Sequence, residues 1–381
     1  MKILLGGIPL GCDNIGDEAI IACVVQMLKE SIPGVELTVA TADPSTAGLL
    51  GVETVPPFGF LDVGMDGFAA VAARHDAYVW CGATGLSDYP HVGLGLLERA
   101  QKAGVPTFVW GVGMDDELNP VFFKAAGKRL ALLRLFGLVG TYERFLRARL
   151  SRRLARVLPR CLGVWVRDPQ SAAMLASMGF PGAGVAADSA ILAGSDRSVA
   201  SPKGDPARGS GALAASPTHG LCISTQRQVV DLDGVRRLIA AVRAADARVL
   251  GIPMNIKTDR ALLEKLGVEC IPGTTPEAVV EAAAGCDVVL SSRLHLLILA
   301  ANAGTPGLGI ARGSKLANWL SNFGQTVVGS VYDCDWDKVT DLVLAVFRSR
   351  GDWDAVRADA YARLNERLAR AREEFIARLV K

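Results

Sequence analysis

Lys2-Ile3-Leu4-Leu5-Gly6-Gly7-Ile8 opens the chain, and residues 17–30 follow it with a helical period. A short apolar run bounded by glycine reads as a strand buried on both faces, and a helix directly behind it completes a β-then-α unit. Ala77-Tyr78-Val79-Trp80-Cys81 and Thr107-Phe108-Val109-Trp110-Gly111 repeat the signal downstream. Strand and helix signals in alternation predict a parallel sheet covered by helices, an α/β class. The opening run superficially resembles an export signal. Gly6, Gly7 and Pro9 interrupt it and Asp13 follows, so it reads as the first buried strand.

The 381 residues are half hydrophobic and 21% charged, a globular composition too long for one ordinary core. The net charge of +2, with acids and bases interspersed, gives no nucleic-acid footprint and turns attention to small molecules. Eight scattered cysteines, without a C-x-x-C pair or a cluster with the four histidines, point to reduced thiols in a cytoplasmic setting. No metal site is expected. The apolar residues 294–311 contain His295, Asn302 and Gly304-Thr305-Pro306, which fits a buried helix, a turn and a strand and not a membrane span.

Residues 194–218 are rich in Ser, Pro, Gly, Ala and Arg and nearly devoid of large apolar side chains. Such a stretch reads as a linker. The expected division is an N-terminal Rossmann-like domain over 1–195, a flexible linker over 196–218, a second Rossmann-like domain over 219–335, and C-terminal helices over 336–381. The tail carries Val356, Leu364, Leu368, Phe375 and Leu379 near helical spacing and predicts one long closing helix. Its arginines leave peripheral contact with a membrane surface open, although its acids dilute the charge and a packing helix explains the pattern. Ligands of open α/β sheets bind outside the carboxyl ends of the strands, so the working site is expected there, between the two halves.

Polar residues at the junctions between strand and helix are therefore the candidates. Asp287-Val-Val-Leu-Ser-Ser292-Arg293-Leu294-His295 runs into an apolar helix. With Ser292 as cap, free amides and two basic side chains describe an anion pocket, and an arginine fork matches a carboxylate or phosphate. A structural ion pair for Arg293 and a surface position for His295 are the plainer reading. Lys315 follows the next strand and should emerge at the same edge. Arg167 ends a strand, with Asp168 as helix cap and Pro169 behind it; Asp188 closes another apolar run. At the first junction, Gly11-Cys-Asp13-Asn14-Ile15-Gly16-Asp17-Glu18, acids already occupy the positive helix end. A sugar hydroxyl suits that end better than a phosphate, and an ordinary capped loop is the alternative. Thr84, in Cys81-Gly82-Ala83-Thr84-Gly85, and Gly113 mark further glycine turns. Phosphate-loop, H-E-x-x-H and G-x-S-x-G signatures are absent.

Together these junctions resemble the polysaccharide pyruvyl transferase family. The matching pieces are Asn14-Ile-Gly16-Asp17-Glu18, Gly111-Val-Gly113, Val166-Arg167-Asp168 with Ser171, Ala187-Asp188, Ser292-Arg293-Leu294-His295 and Lys315. The chain departs from the family at Cys81 to Gly85, where three glycines are usual. The resemblance implies a GT-B-like pair of domains, the first for the acceptor and the second for the donor. It implies transfer of the pyruvyl group of phosphoenolpyruvate to sugar hydroxyls of a polysaccharide or lipid-linked precursor, with phosphoenolpyruvate as donor substrate and no cofactor. His295, Arg293 and Asp17 would be catalytic. Arg293, Lys315, Arg167 and Ser292 would bind the donor, and Asn14, Gly16, Asp17, Thr84, Gly113 and Asp188 the acceptor. A glycosyltransferase using a sugar nucleotide and a non-catalytic glycan-binding relative are the alternatives.

Overall fold

The computed structural model describes residues 1–87, 91–116, 132–133, 135–194, 217–224, 231–331, 333–346 and 352–381. The linker expected over 196–218 lies outside the described residues as far as 216.

Seven parallel strands make the first sheet: β1 (Lys2–Leu10), β2 (Glu36–Thr41), β3 (Glu53–Val55), β4 (Ala77–Cys81), β5 (Thr107–Val112), β6 (Gly163–Val166) and β7 (Gly184–Val185). Their order is β3-β2-β1-β4-β5-β6-β7. Ile3 and Leu5 of β1 sit opposite Leu37 and Val39 of β2 on one side and Ala77 and Val79 of β4 on the other. All six are buried, as a strand must be when helices cover both faces.

A second parallel sheet holds β8 (Thr218–Cys222), β9 (Arg248–Gly251), β10 (Glu269–Cys270), β11 (Val288–Ser291), β12 (Gly307–Ala311) and β13 (Gly329–Ser330), in the order β10-β9-β8-β11-β12-β13. Each sheet starts in its middle, winds outward, then returns to continue on the other side of its first strand. That reversal is the switch point of a doubly wound Rossmann-like sheet, where the strand ends splay and leave room for a ligand.

By its internal contacts the chain divides into two units. One comprises Met1–Cys12, Ile20–Ser189 and Arg363–Lys381; the other comprises Asp13–Ala19 and Ala190–Ala362. The first turn of the helix Ile15–Ser31 thus counts with the second unit, and the last residues of the helix Trp353–Leu379 with the first.

That closing helix buries Leu364, Leu368, Ala371, Phe375 and Leu379. Phe375 stacks on Trp110 at 4.8 Å between ring centroids and meets Phe108 and Trp165 edge-on at 5.6 Å. Val356, expected on the buried stripe, is 39% exposed, and Ala360 takes its place. In the second unit Trp353 packs on Phe323. The helix Leu294–Asn302 is apolar on nearly every side because it is enclosed: Leu294, Leu296, Leu297, Ile298, Leu299, Ala300 and Ala301 are all buried.

Candidate active site

The site of the second unit is assembled at the carboxyl ends of β8, β9, β11 and β12. After β9 the chain turns back, and its loop pairs with the segment that carries Asp17. Ile15 N donates to Met254 O at 3.0 Å, Ile256 N to Asp13 O at 3.1 Å, and Asn14 and Asn255 form an antiparallel bridge. Lys257 Nζ adds an ion pair to Asp13 at 2.6 Å. Asn14 O then accepts from the amides of Asp17 and Glu18, starting the helix, while Asn14 Nδ2 donates to Asp17 Oδ2 at 2.6 Å.

His295 is the second residue of its helix and lies against Gly16. A Cβ on Gly16 would stand 2.7 Å from the Cβ of His295 and nearer still to the ring. Glycine is required here by that close approach, since its φ is ordinary.

The Asp17 carboxyl feels all three basic side chains expected to share a ligand. Burial pushes its pKa up; the opposing influences of His295, Lys315, the Asn14 hydrogen bond and Arg293 do not cancel that rise. His295, Lys315 and Arg293 therefore stand close enough to one carboxylate to be felt by it.

Arg293 is held in place by a residue the sequence reading did not single out. Asp259, with no exposed surface, accepts from Arg293 Nε at 3.0 Å and from Nη2 at 2.8 Å. The same carboxylate accepts from Asn255 N at 2.9 Å, from Thr258 Oγ1 at 3.2 Å and from Cys222 Sγ at 3.6 Å. One buried charge fixes both the guanidinium of Arg293 and, through Asn255, the loop that pairs with Asn14. The ion pair that was the plain reading of Arg293 is thus present, and it sets the direction of the guanidinium fork.

Ser292 departs from its expected place. The helix begins at Leu294, so Arg293 occupies the cap position and lacks a side-chain capping bond. Ser292 is fully buried, and its hydroxyl accepts from Ser224 N at 2.8 Å, joining the ends of β8 and β11. Ser291 Oγ takes the Arg293 amide at 2.9 Å instead. The hydroxyl of Ser292 is thus engaged with a neighbouring strand end and not with the helix, which corrects the capping role expected of Ser292.

A separate group stands at the carboxyl edge of the first sheet. Asp168 caps its helix as expected, accepting from Ser171 N at 2.7 Å, and Ser171 Oγ accepts from Met114 N. Arg167, 5% exposed, donates to Asp168 Oδ2 at 3.3 Å and faces Asp188 Oδ2 at 3.6 Å. Its Nη1 and Nη2 have no hydrogen-bond partner among the described residues. Gly113 lies on the guanidinium, 2.7 Å from its Cζ to the place a Cβ would take, and Gly113 N donates to Ala83 O at 2.7 Å. Thr84 follows in that turn, its carbonyl accepting from Ser87. Arg367, from the closing helix, donates to Ala186 O at 2.6 Å; burial lowers its pKa, against the pull of Asp168.

The residues read from sequence therefore fall into two sets. Asn14, Gly16, Asp17, Arg293, His295 and Lys315 meet in the second unit, and Thr84, Gly113, Arg167 and Asp188 meet in the first. Asp259 and Asn255 were legible by the same rule, as polar residues where a strand runs into a helix, but no motif marks them.

A search among curated proteins found no match. Among solved structures, the UDP-GlcNAc 2-epimerase of Neisseria meningitidis bound to UDP-GlcNAc is 12% identical with a TM-score of 0.58, all of both chains being covered. Anabaena HepE in complex with UDP and glucose is 16% identical with a TM-score of 0.54, covering 100% of this chain and 99% of that one. A transferase of Siraitia grosvenorii in complex with UDP is 12% identical with a TM-score of 0.56, at 100% and 99% coverage. Identities this low speak for the fold alone, which is GT-B-like. The sequence itself is more specific: residues 14–314, from Asn14 through His295 to Ser314, match the family model for polysaccharide pyruvyl transferase, and the chain belongs to that family.

Proposed function

We propose that the protein transfers the pyruvyl group of phosphoenolpyruvate to a pair of hydroxyls on a polysaccharide or its lipid-linked precursor, forming a ketal and releasing phosphate. What supports this reading is the influence of His295, Lys315 and Arg293 on the one Asp17 carboxyl, together with the packing of His295 against Gly16 in the same segment. Phosphoenolpyruvate offers a carboxylate and a phosphate, and two cations on separate helix starts can hold one each.

Protonation of the methylene carbon makes a methyl group and leaves an electron-poor carbon. A sugar hydroxyl adds there, phosphate leaves with the bonding pair, and a second hydroxyl closes the ketal. His295 donates the carbon-bound proton, the general-acid role that imidazole side chains most often fill. Arg293 and Lys315 stabilise the charge that grows on the departing phosphate. Asp17 accepts a hydroxyl proton, and a pKa raised by burial makes it a better base for that step. Asn14 orients Asp17, and the glycine of Gly16 lets the imidazole come close. Arg167, Thr84, Gly113 and Asp188 are further contacts for donor or acceptor under this reading. No resident cofactor enters the scheme. No helix among the described residues is long and apolar enough to cross a membrane.

The test is incubation with phosphoenolpyruvate and a panel of free and lipid-linked saccharides, followed by phosphate release and mass spectrometry of the pyruvyl adduct. His295→Ala should keep the fold and lose phosphate release. Full turnover in that variant removes the histidine from the chemistry. Thermal stabilisation by UDP and none by phosphoenolpyruvate turns the assignment to a glycosyltransferase. Saccharide binding with no phosphate released from any acceptor turns it to a glycan-binding protein.

A further inference from the structure

Half of the exposed large apolar side chains among the described residues lie in one short stretch of the first unit: Leu132, Leu135, Phe136, Leu138 and Phe145. Phe136 is 65% exposed and Leu135 79%. The helix Val139–Val157 that continues from them carries six arginines and one acid. Its inner face, Leu146, Leu150, Leu154 and Val157, is buried in the core, so the outer face is not needed for packing. Leu138, Phe145, Arg149, Arg152 and Arg156 recur at helical spacing and form a stripe on that outer face, all of them exposed. Arg153, turned inward, pairs with Glu98, as does Arg156 in part.

We infer that this face docks the protein on an anionic lipid bilayer. A partner has to satisfy apolar and cationic groups side by side. A bilayer offers a hydrocarbon boundary for Phe136 and Phe145 and phosphate headgroups for the arginines beside them. A second copy of the chain does not, because a symmetric contact sets one arginine stripe against the other. Nucleic acid supplies phosphates but no apolar phase for leucine and phenylalanine. The positive charge is local, since the whole chain carries only +2. The closing helix Trp353–Leu379, also arginine-rich, mixes in acids and faces the core with its apolar stripe, so the membrane contact left open for it belongs on the helix Val139–Val157 instead.

The experiment is co-sedimentation of the full chain with vesicles of phosphatidylcholine alone or with phosphatidylglycerol added, at low and high salt. Binding should be roughly tenfold or more stronger on the anionic vesicles and should weaken with salt. Arg149→Glu with Arg152→Glu, and separately Phe136→Ser with Phe145→Ser, should each lower it several-fold, with thermal unfolding unchanged. Equal binding to both vesicle types, or variants that bind as the parent does, overturns the proposal. So does a failure to bind anionic vesicles combined with self-association that the serine variant abolishes. None of these readouts depends on the donor chemistry.

Discussion

At Gly16 the place of one missing methyl group is taken by the imidazole of His295. Gly16→Ala would push that ring aside, and a displacement of about 1 Å in a reacting group can cost on the order of a hundredfold in rate. The expected result is a loss of that size in kcat/KM for phosphate release with thermal stability little changed, and an undiminished rate would show that the ring needs no such proximity. Asp17, beside it, gives a prediction in pH. In its proposed role as base it must be ionised, so the rate should fall on the acidic side as pH drops through its pKa, which burial holds above the ordinary carboxylate value. Lys315 pulls that pKa down. Lys315→Met therefore raises it, and the acidic limb of the kcat/KM profile should move to higher pH, beyond any uniform loss of rate.

Between elements, the connection that matters most is Asp259, where the helix Asp259–Lys265 begins. Asp259→Ala leaves Arg293 without its buried counter-charge and the Asn255 amide without its acceptor. Removing one partner of a buried pair costs about 3–5 kcal/mol, to be read from urea unfolding of the variant. Sequence alone made the strand-to-helix junctions legible, because apolar runs and glycine turns reveal where a sheet edge lies. It did not reveal which junction residues face inward. Asn255-Ile256-Lys257-Thr258-Asp259 looks like a solvated first turn, and only the folding back of that loop beside Cys222 buries its carboxylate. Ser292 failed for a similar reason. A serine before an apolar helix usually caps it, but the amide of Ser224, distant in sequence, reaches the hydroxyl first. Local pattern fixes which residues stand at an edge, and long-range hydrogen bonds decide what each does there.

For the molecule as a whole, the closing helix is a structural necessity of the first sheet. Phe375→Ala opens a hole among Phe108, Trp110 and Trp165 and should cost about 3–5 kcal/mol, seen as a lower urea midpoint. The backbone passes from one unit to the other at four places: after Cys12, Ala19, Ser189 and Ala362. A gene divided after Ser189, where the chain leaves the first unit, would therefore yield two defective products. The amino-terminal fragment would lack the phenylalanine plug of its aromatic cluster, and the carboxyl-terminal fragment would lack the carboxylate that sits among its cations. Neither could be studied as a miniature of the protein, and co-expression of both is the condition under which split halves should regain a native state.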